Sequence, residues 1–222
     1  MIKAEPKPIA EIRQMIAPYH RVLILGCGTC VTISFAGGEK EVGLLASSLR
    51  IASAMEGQDK TFAEGTVQRQ CEWEFIDAVA EDINRADAVI SLACGIGVQA
   101  LAERYPDKVI LPGVNTTFLG MAIEHGVLVE RCRACGDCIL GRTAGICPIA
   151  RCAKNLLNGP CGGSQNGKCE VDPELDCAWQ LIYDRLSRLG LLESMTQIQA
   201  PKDWSKDYDG GPRKIIREDL RL

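Results

Sequence analysis

Cys132, Cys135 and Cys138 are spaced by two residues each, and Cys147 stands further on, followed directly by Pro148. Thiolates at the Cys-x2-Cys-x2-Cys spacing let a backbone loop wrap an iron-sulfur cluster, and a cysteine followed by proline is the usual close of such a run. The chain holds 12 cysteines in 222 residues, eight of them from Cys132 to Cys177. Eight thiolates are enough for two complete four-ligand sites. Spacing alone does not partition Cys147, Cys152, Cys161, Cys169 and Cys177, because in two-cluster ferredoxins the last cysteine of the run serves the other cluster. Zinc is the rival for part of this set, since it takes four thiolates tetrahedrally without redox chemistry. The expectation is one or more [4Fe-4S] clusters, with a zinc site as the competing arrangement.

Cys27, Cys30, Cys71 and Cys94 form a second candidate metal set in the first half of the chain. Cys27 and Cys30 follow the apolar run Arg21-Val-Leu-Ile-Leu25, and Cys94 follows Asp87-Ala-Val-Ile-Ser-Leu92. The ordinary alternative is a reactive Cys27/Cys30 dithiol with Cys71 and Cys94 as small buried residues. Gly26-x-Gly28 begins like a dinucleotide fingerprint, but Val31 stands at the third glycine position. No acidic ribose ligand follows at the expected offset, so no nicotinamide site is expected on this chain. With only His20 and His125 present, a histidine-rich metal centre is excluded.

Composition bounds the rest. The net charge of -4, from 25 basic and 29 acidic residues, argues against a general nucleic-acid binder. The sign is reversed locally: Arg131, Arg133, Arg142, Arg151, Lys154 and Lys168 lie among the cysteines, where cations offset the charge of thiolate-bound metal. The opening residues, with Lys3, Glu5 and Lys7, do not read as a signal peptide, and a cytoplasmic location is expected. In a reducing compartment clustered thiols serve as metal ligands or redox groups rather than disulfides. The uncharged stretch from Val22 to Gly38 is too short and too broken by glycine and hydroxyl residues to span a bilayer.

These residues must be positioned by an α/β scaffold. Strands are predicted at Arg21 to Leu25, Asp87 to Leu92 and Lys108 to Pro112, each ending in a loop that can carry a site. Helices are predicted from Glu41 to Met55, with Leu44, Leu45, Leu49, Ala52 and Met55 on the inner face, from Glu72 to Asn84, and from Val98 to Tyr105. Asn115-Thr-Thr117 reads as the cap of a helix starting near Phe118. The fold class is therefore a Rossmann-like or flavodoxin-like parallel sheet over residues 1–130, with its cysteine loops on one sheet edge. A cysteine-rich metal-binding module follows over 131–178, where ligation dominates secondary structure. Residues 179–222 supply a helix, capped by Asp176 and ending near Gly190, and an extended arm with Trp204, Tyr208, Gly210, Ile215 and Ile216.

Three segments carry a family resemblance: Cys132-Arg-Ala-Cys-Gly-Asp-Cys138, Gly145-Ile-Cys-Pro-Ile-Ala-Arg-Cys-Ala-Lys154, and Leu157-Asn-Gly-Pro-Cys-Gly-Gly-Ser-Gln-Asn-Gly-Lys-Cys169. They resemble the small cysteine-rich iron-sulfur subunit of methylenetetrahydrofolate reductase, the family also described as the methylenetetrahydrofolate reductase C-terminal domain. Gly26-Cys-Gly-Thr-Cys30, Gln70-Cys-Glu-Trp-Glu74, Leu92-Ala-Cys-Gly95 and Asp176-Cys-Ala-Trp-Gln-Leu-Ile-Tyr-Asp184 extend it. The resemblance implies a non-catalytic partner of the flavin-containing subunit that reduces methylene-tetrahydrofolate to methyl-tetrahydrofolate in one-carbon metabolism. Flavin is then expected on that partner, and electron-donor subunits or a ferredoxin are expected upstream. It also implies Cys132, Cys135 and Cys138 as cluster ligands. Family members often carry a third cysteine in the first loop, where this chain has Ser34, so that loop is left with Cys27 and Cys30.

Overall fold

The computed structural model describes residues 1–207 and 211–220. Two compact units divide the chain, Met1–Val129 and Glu130–Leu222. Tyr208 and Gly210 of the arm lie outside the described residues.

The first unit is built on a four-stranded parallel sheet. Its strands are β2 (Arg21–Cys27), β3 (Thr61–Val67), β4 (Ala88–Ser91) and β5 (Val109–Pro112), in the spatial order β3-β2-β4-β5. Successive residues of β2 point to opposite faces, and both faces are covered, so its apolar run is continuous rather than alternating. Val22 and Ile24 join a cluster with Ile12 of α1 (Ile9–Met15), Ile16 at its C-cap, and Val42, Ala46 and Leu49 of α3 (Glu39–Met55). Leu23 and Leu25 join the opposite cluster. There they meet Ile76 of α4 (Trp73–Asp77), Ile83 of α5 (Ala80–Arg85) and Leu101 of α6 (Gly95–Arg104). A short helix, α2 (Cys30–Ile33), sits between β2 and α3.

The parallel α/β architecture agrees with the expected fold class, while several local elements differ. The inner face of α3 is Val42, Ala46, Leu49 and Ser53, whereas Leu44 and Met55 are exposed. Val79, at φ -115° and ψ 21°, leaves helical geometry and splits the single helix expected from Glu72 to Asn84 into α4 and α5. No helix starts near Phe118: residues Val114–Glu124 form β6, which pairs antiparallel with β1 (Ile2–Pro6) and is flanked on its other side by β7 (Val127–Cys132). The threonines read as a cap serve the sheet instead. Thr117 Oγ1 donates to Lys3 O, and Thr116 Oγ1 accepts from Gly95 N.

The second unit has little regular structure: α7 (Pro148–Arg151), α8 (Ala178–Arg188) and short 3-10 turns at Leu192–Thr196, Trp204–Lys206 and Glu218–Leu220. Trp179, Ile182 and Leu186 of α8 are buried with Cys177 against Ile146, Leu156 and Leu192. Cys177, not Asp176, stands at the N-cap of α8, without a side-chain cap bond. Asp176 pairs with Lys168 at 2.8 Å instead. The helix ends at Arg188, near Gly190 as expected, and Gly190 adopts its φ of +68° without steric cost.

Candidate functional site

In an open parallel sheet the crevice for a ligand lies at the carboxyl ends of the strands, where successive connections leave in opposite directions. Here β2 connects to β3 on one side, and the chain then crosses to β4 on the other side of β2. The crevice therefore falls between the ends of β2 and β4. Cys27 is the last residue of β2, Cys30 opens α2, and Cys94 caps α6 just beyond β4.

Gln70 brings the fourth cysteine to this edge. Its buried amide donates to Leu25 O at 2.8 Å and Gly26 O at 3.0 Å, and its Oε1 accepts from Ser91 Oγ at 2.6 Å. One side chain thus closes the ends of β2 and β4 together and holds its neighbour Cys71 at the crevice. Gly97 of α6 permits this packing, because a Cβ there would stand 2.9 Å from Gln70 Cβ and 2.6 Å from Ala93 Cβ. Burial raises the Cys71 thiol above its ordinary pKa, a backbone hydrogen bond opposes this, and the negative charges of Cys27, Cys94 and Glu72 raise it further. Cys27, Cys71 and Cys94 therefore share one electrostatic neighbourhood. Ser34 is turned back on its own helix, donating to Cys30 O and Val31 O at 3.2 Å each.

In the second unit two residues with positive φ, Ala134 (55°) and Gly136 (75°), curl the chain between Cys132, Cys135 and Cys138. Ala134 N donates to Cys132 Sγ at 3.3 Å, a backbone donor already aimed at sulfur. The C-terminal arm covers this loop. Lys202 has a side chain with 0% exposure, donates from Nζ to Asp137 O and lies 3.8 Å from the Asp137 carboxylate. Lys206 packs on Gly136, where a Cβ would meet Lys206 O at 2.4 Å. Arg142 ties the arm down through Gln199 Oε1 at 2.6 Å and Gln197 O at 2.8 Å. Cys147 lies in the field of Arg151, whose pKa is lowered by burial and by Arg131, with Asp176 and Cys147 acting in the opposite direction.

The remaining four, Cys152, Cys161, Cys169 and Cys177, line a single cavity together with Lys154, Glu170 and Trp179. Cys161 Sγ donates to Glu170 Oε2 at 3.4 Å, and Lys154 pairs with the same carboxylate. The hydrogen bond to Glu170 raises the Lys154 ammonium pKa, and the thiolates of Cys161 and Cys169 add to it. All twelve cysteines are unpaired thiols. Among the described residues no group of three or more Cys, His, Asp or Glu side chains is drawn together tightly enough to hold a metal ion. The donor set nevertheless suits thiophilic metals: twelve free sulfurs, with Cys152, Cys161, Cys169 and Cys177 lining one cavity beside Lys154 and with Lys202 beside the loop of Cys132, Cys135 and Cys138. Gln70, Lys202 and Glu170, which position or neighbour these thiols, carry no spacing signal and were not legible in the sequence.

Fold and thiol groups together define a cysteine-rich α/β protein with one thiol group at a sheet switch point and two in a loop-rich module. Residues 111–205 match the family model described as methylene-tetrahydrofolate reductase C terminal. That segment contains all eight cysteines of the second half and bears out the resemblance drawn from them; the N-terminal cysteine motifs lie before it. No curated protein and no solved structure matches the chain. No helix among the described residues is long and apolar enough to cross a membrane.

Proposed function

We propose that this chain is the electron-transfer subunit of a methylenetetrahydrofolate reductase complex, passing electrons to the flavin of a catalytic partner that reduces methylene-tetrahydrofolate. The observation that carries this reading is the Cys132 loop with its covering arm, inside the segment that matches the reductase family. Cys132, Cys135, Cys138 and Cys147 would hold one [4Fe-4S] cluster, and Cys27, Cys30, Cys71 and Cys94 a second metal centre at the switch point. Bound clusters supply one-electron redox chemistry at potentials set by hydrogen bonds to sulfur, burial and nearby charge. The chain's own residues provide those settings. Ala134 N donates to sulfur, and the Lys202 ammonium places positive charge beside the loop without solvent screening. Ferredoxin or dedicated donor subunits would supply the electrons.

A second reading, a zinc-stabilised adaptor that docks the reductase to its donor, is favoured by the confined cavity of Cys152, Cys161, Cys169 and Cys177. Iron and acid-labile sulfide separate the two. In protein prepared without oxygen, Cys135→Ser is expected to lose the iron and sulfide of one cluster, and Cys30→Ser to lose metal from the other unit. Full retention of iron and sulfide in both variants would remove the basis for the relay.

A further inference from the structure

Leu44 belongs by helical period to the inner face of α3, yet it is 59% exposed. With Ile9 and Phe35, also exposed, it stands open around a cavity of ≈ 490 Å³ in the first unit. That volume lies within the range of small-molecule sites, roughly 300–1,000 Å³. Leu92, just past β4, and Gly113, just past β5, line it too, which puts the cavity at the carboxyl end of the parallel sheet. None of the cysteines lines it.

Phe35 has a φ of 54°, in the left-handed region that a bulky residue occupies only where its surroundings impose it. Here the loop is fixed on both sides of the ring. Phe35 N donates to Thr32 O at 3.0 Å and Ala36 N to Val31 O at 2.9 Å, while Gly37 O accepts from Cys27 N at 2.9 Å. Gly37 is pressed onto the end of β4, where a Cβ would stand 1.8 Å from Leu92 O. The strained residue gains little burial in return, since its side chain is 47% exposed. What the strain does hold is an aromatic wall: Phe35 and His125 both line the cavity and meet edge-on, ring centroids 5.0 Å apart.

The charges around this apolar lining have one sign to spare. Lys7 is paired with Glu11, and the Glu41 carboxylate accepts from Gly38 N at 2.9 Å, so both are engaged. Lys40 has no ion pair or hydrogen bond from its side chain among the described residues. On a chain of net charge -4 this leaves an unpaired ammonium beside an aromatic, apolar cavity. We propose that the cavity binds a small aromatic anion, its ring packed against Phe35 and Leu44 and its anionic group paired with Lys40. The site rests neither on bound metal nor on electron transfer.

The test titrates two fluorescent probes into the full chain purified without oxygen: 1-anilinonaphthalene-8-sulfonate and its uncharged counterpart N-phenyl-1-naphthylamine. The native chain is expected to bind one equivalent of the sulfonate. Lys40→Gln is expected to weaken the sulfonate about tenfold, the scale of one charge-assisted contact, and to leave the uncharged probe unchanged. Leu44→Gln, at an exposed position that the fold does not need, is expected to weaken both. Phe35→Gly is expected to weaken both probes without lowering the chemical denaturation midpoint, because glycine takes this φ freely. Several equivalents bound to the native chain, sulfonate affinity unmoved in Lys40→Gln, or both affinities unmoved in Leu44→Gln overturns the site. A lowered midpoint with unchanged affinity in Phe35→Gly would make Phe35 a packing residue and overturn it as well.

Discussion

Gln70 shows how one polar side chain can set a site without touching any metal. Its three hydrogen bonds reach Gly26 O, Leu25 O, which also accepts from Leu92 N, and the Ser91 hydroxyl, which also accepts from Ala93 N, in a place where water does not reach. Buried groups left unpaired cost about 1–3 kcal/mol. Gln70→Leu is therefore expected to lower unfolding stability by about that amount, as read by chemical denaturation. The same variant should reduce metal retained by the first unit, because Cys71 is anchored by its neighbour. Unchanged stability and metal content would mean that Cys71 is held by other contacts. At this scale the cysteines were legible in the sequence and their supports were not. A glutamine before a cysteine has no distinctive spacing, and its role appears only when β2 and β4 are brought side by side.

The elements differ in how openly they declare themselves. β2, β4 and β5 were legible because they are short apolar runs closed by glycine or cysteine. β3 was not, since only Phe62 and Val67 of Thr61–Val67 are buried and the other positions are polar or small. β6 was misread because Asn115-Thr-Thr117 resembles a helix cap, although its hydroxyls bond across the sheet and to the Cys94 loop. The arm after Gln197 has no periodicity, yet it carries the most confined cation near the Cys132 loop, Lys202, which also lies 5.9 Å from the ring of Trp204. Removing that charge with Lys202→Met is expected to lower the reduction potential of the cluster proposed for this loop by about 60 mV. For a one-electron couple this is the equivalent of a tenfold change in equilibrium constant. Lys202→Arg is expected to restore most of the potential. A potential unmoved in Lys202→Met would show that the arm only covers the loop.

Across the whole molecule, thiol chemistry is distributed over two differently built units. The first relies on a parallel sheet whose strand order creates a crevice, so cysteines from three separate stretches of the sequence lie at one edge. The second has a small apolar cluster around α8 and many loop residues, the composition expected where ligation completes the fold. The partition of the eight C-terminal cysteines could not be read from spacing, because Cys152 and Cys177 are joined by tertiary packing rather than by a local motif. The central claim is that this chain carries electrons, and electron paramagnetic resonance of the chain purified without oxygen and reduced with dithionite tests it most directly. A signal from reduced iron-sulfur clusters that disappears when a flavin-loaded methylenetetrahydrofolate reductase subunit is added is the predicted result. A chain that gives no such signal, with zinc as its sole bound metal, would contradict the account.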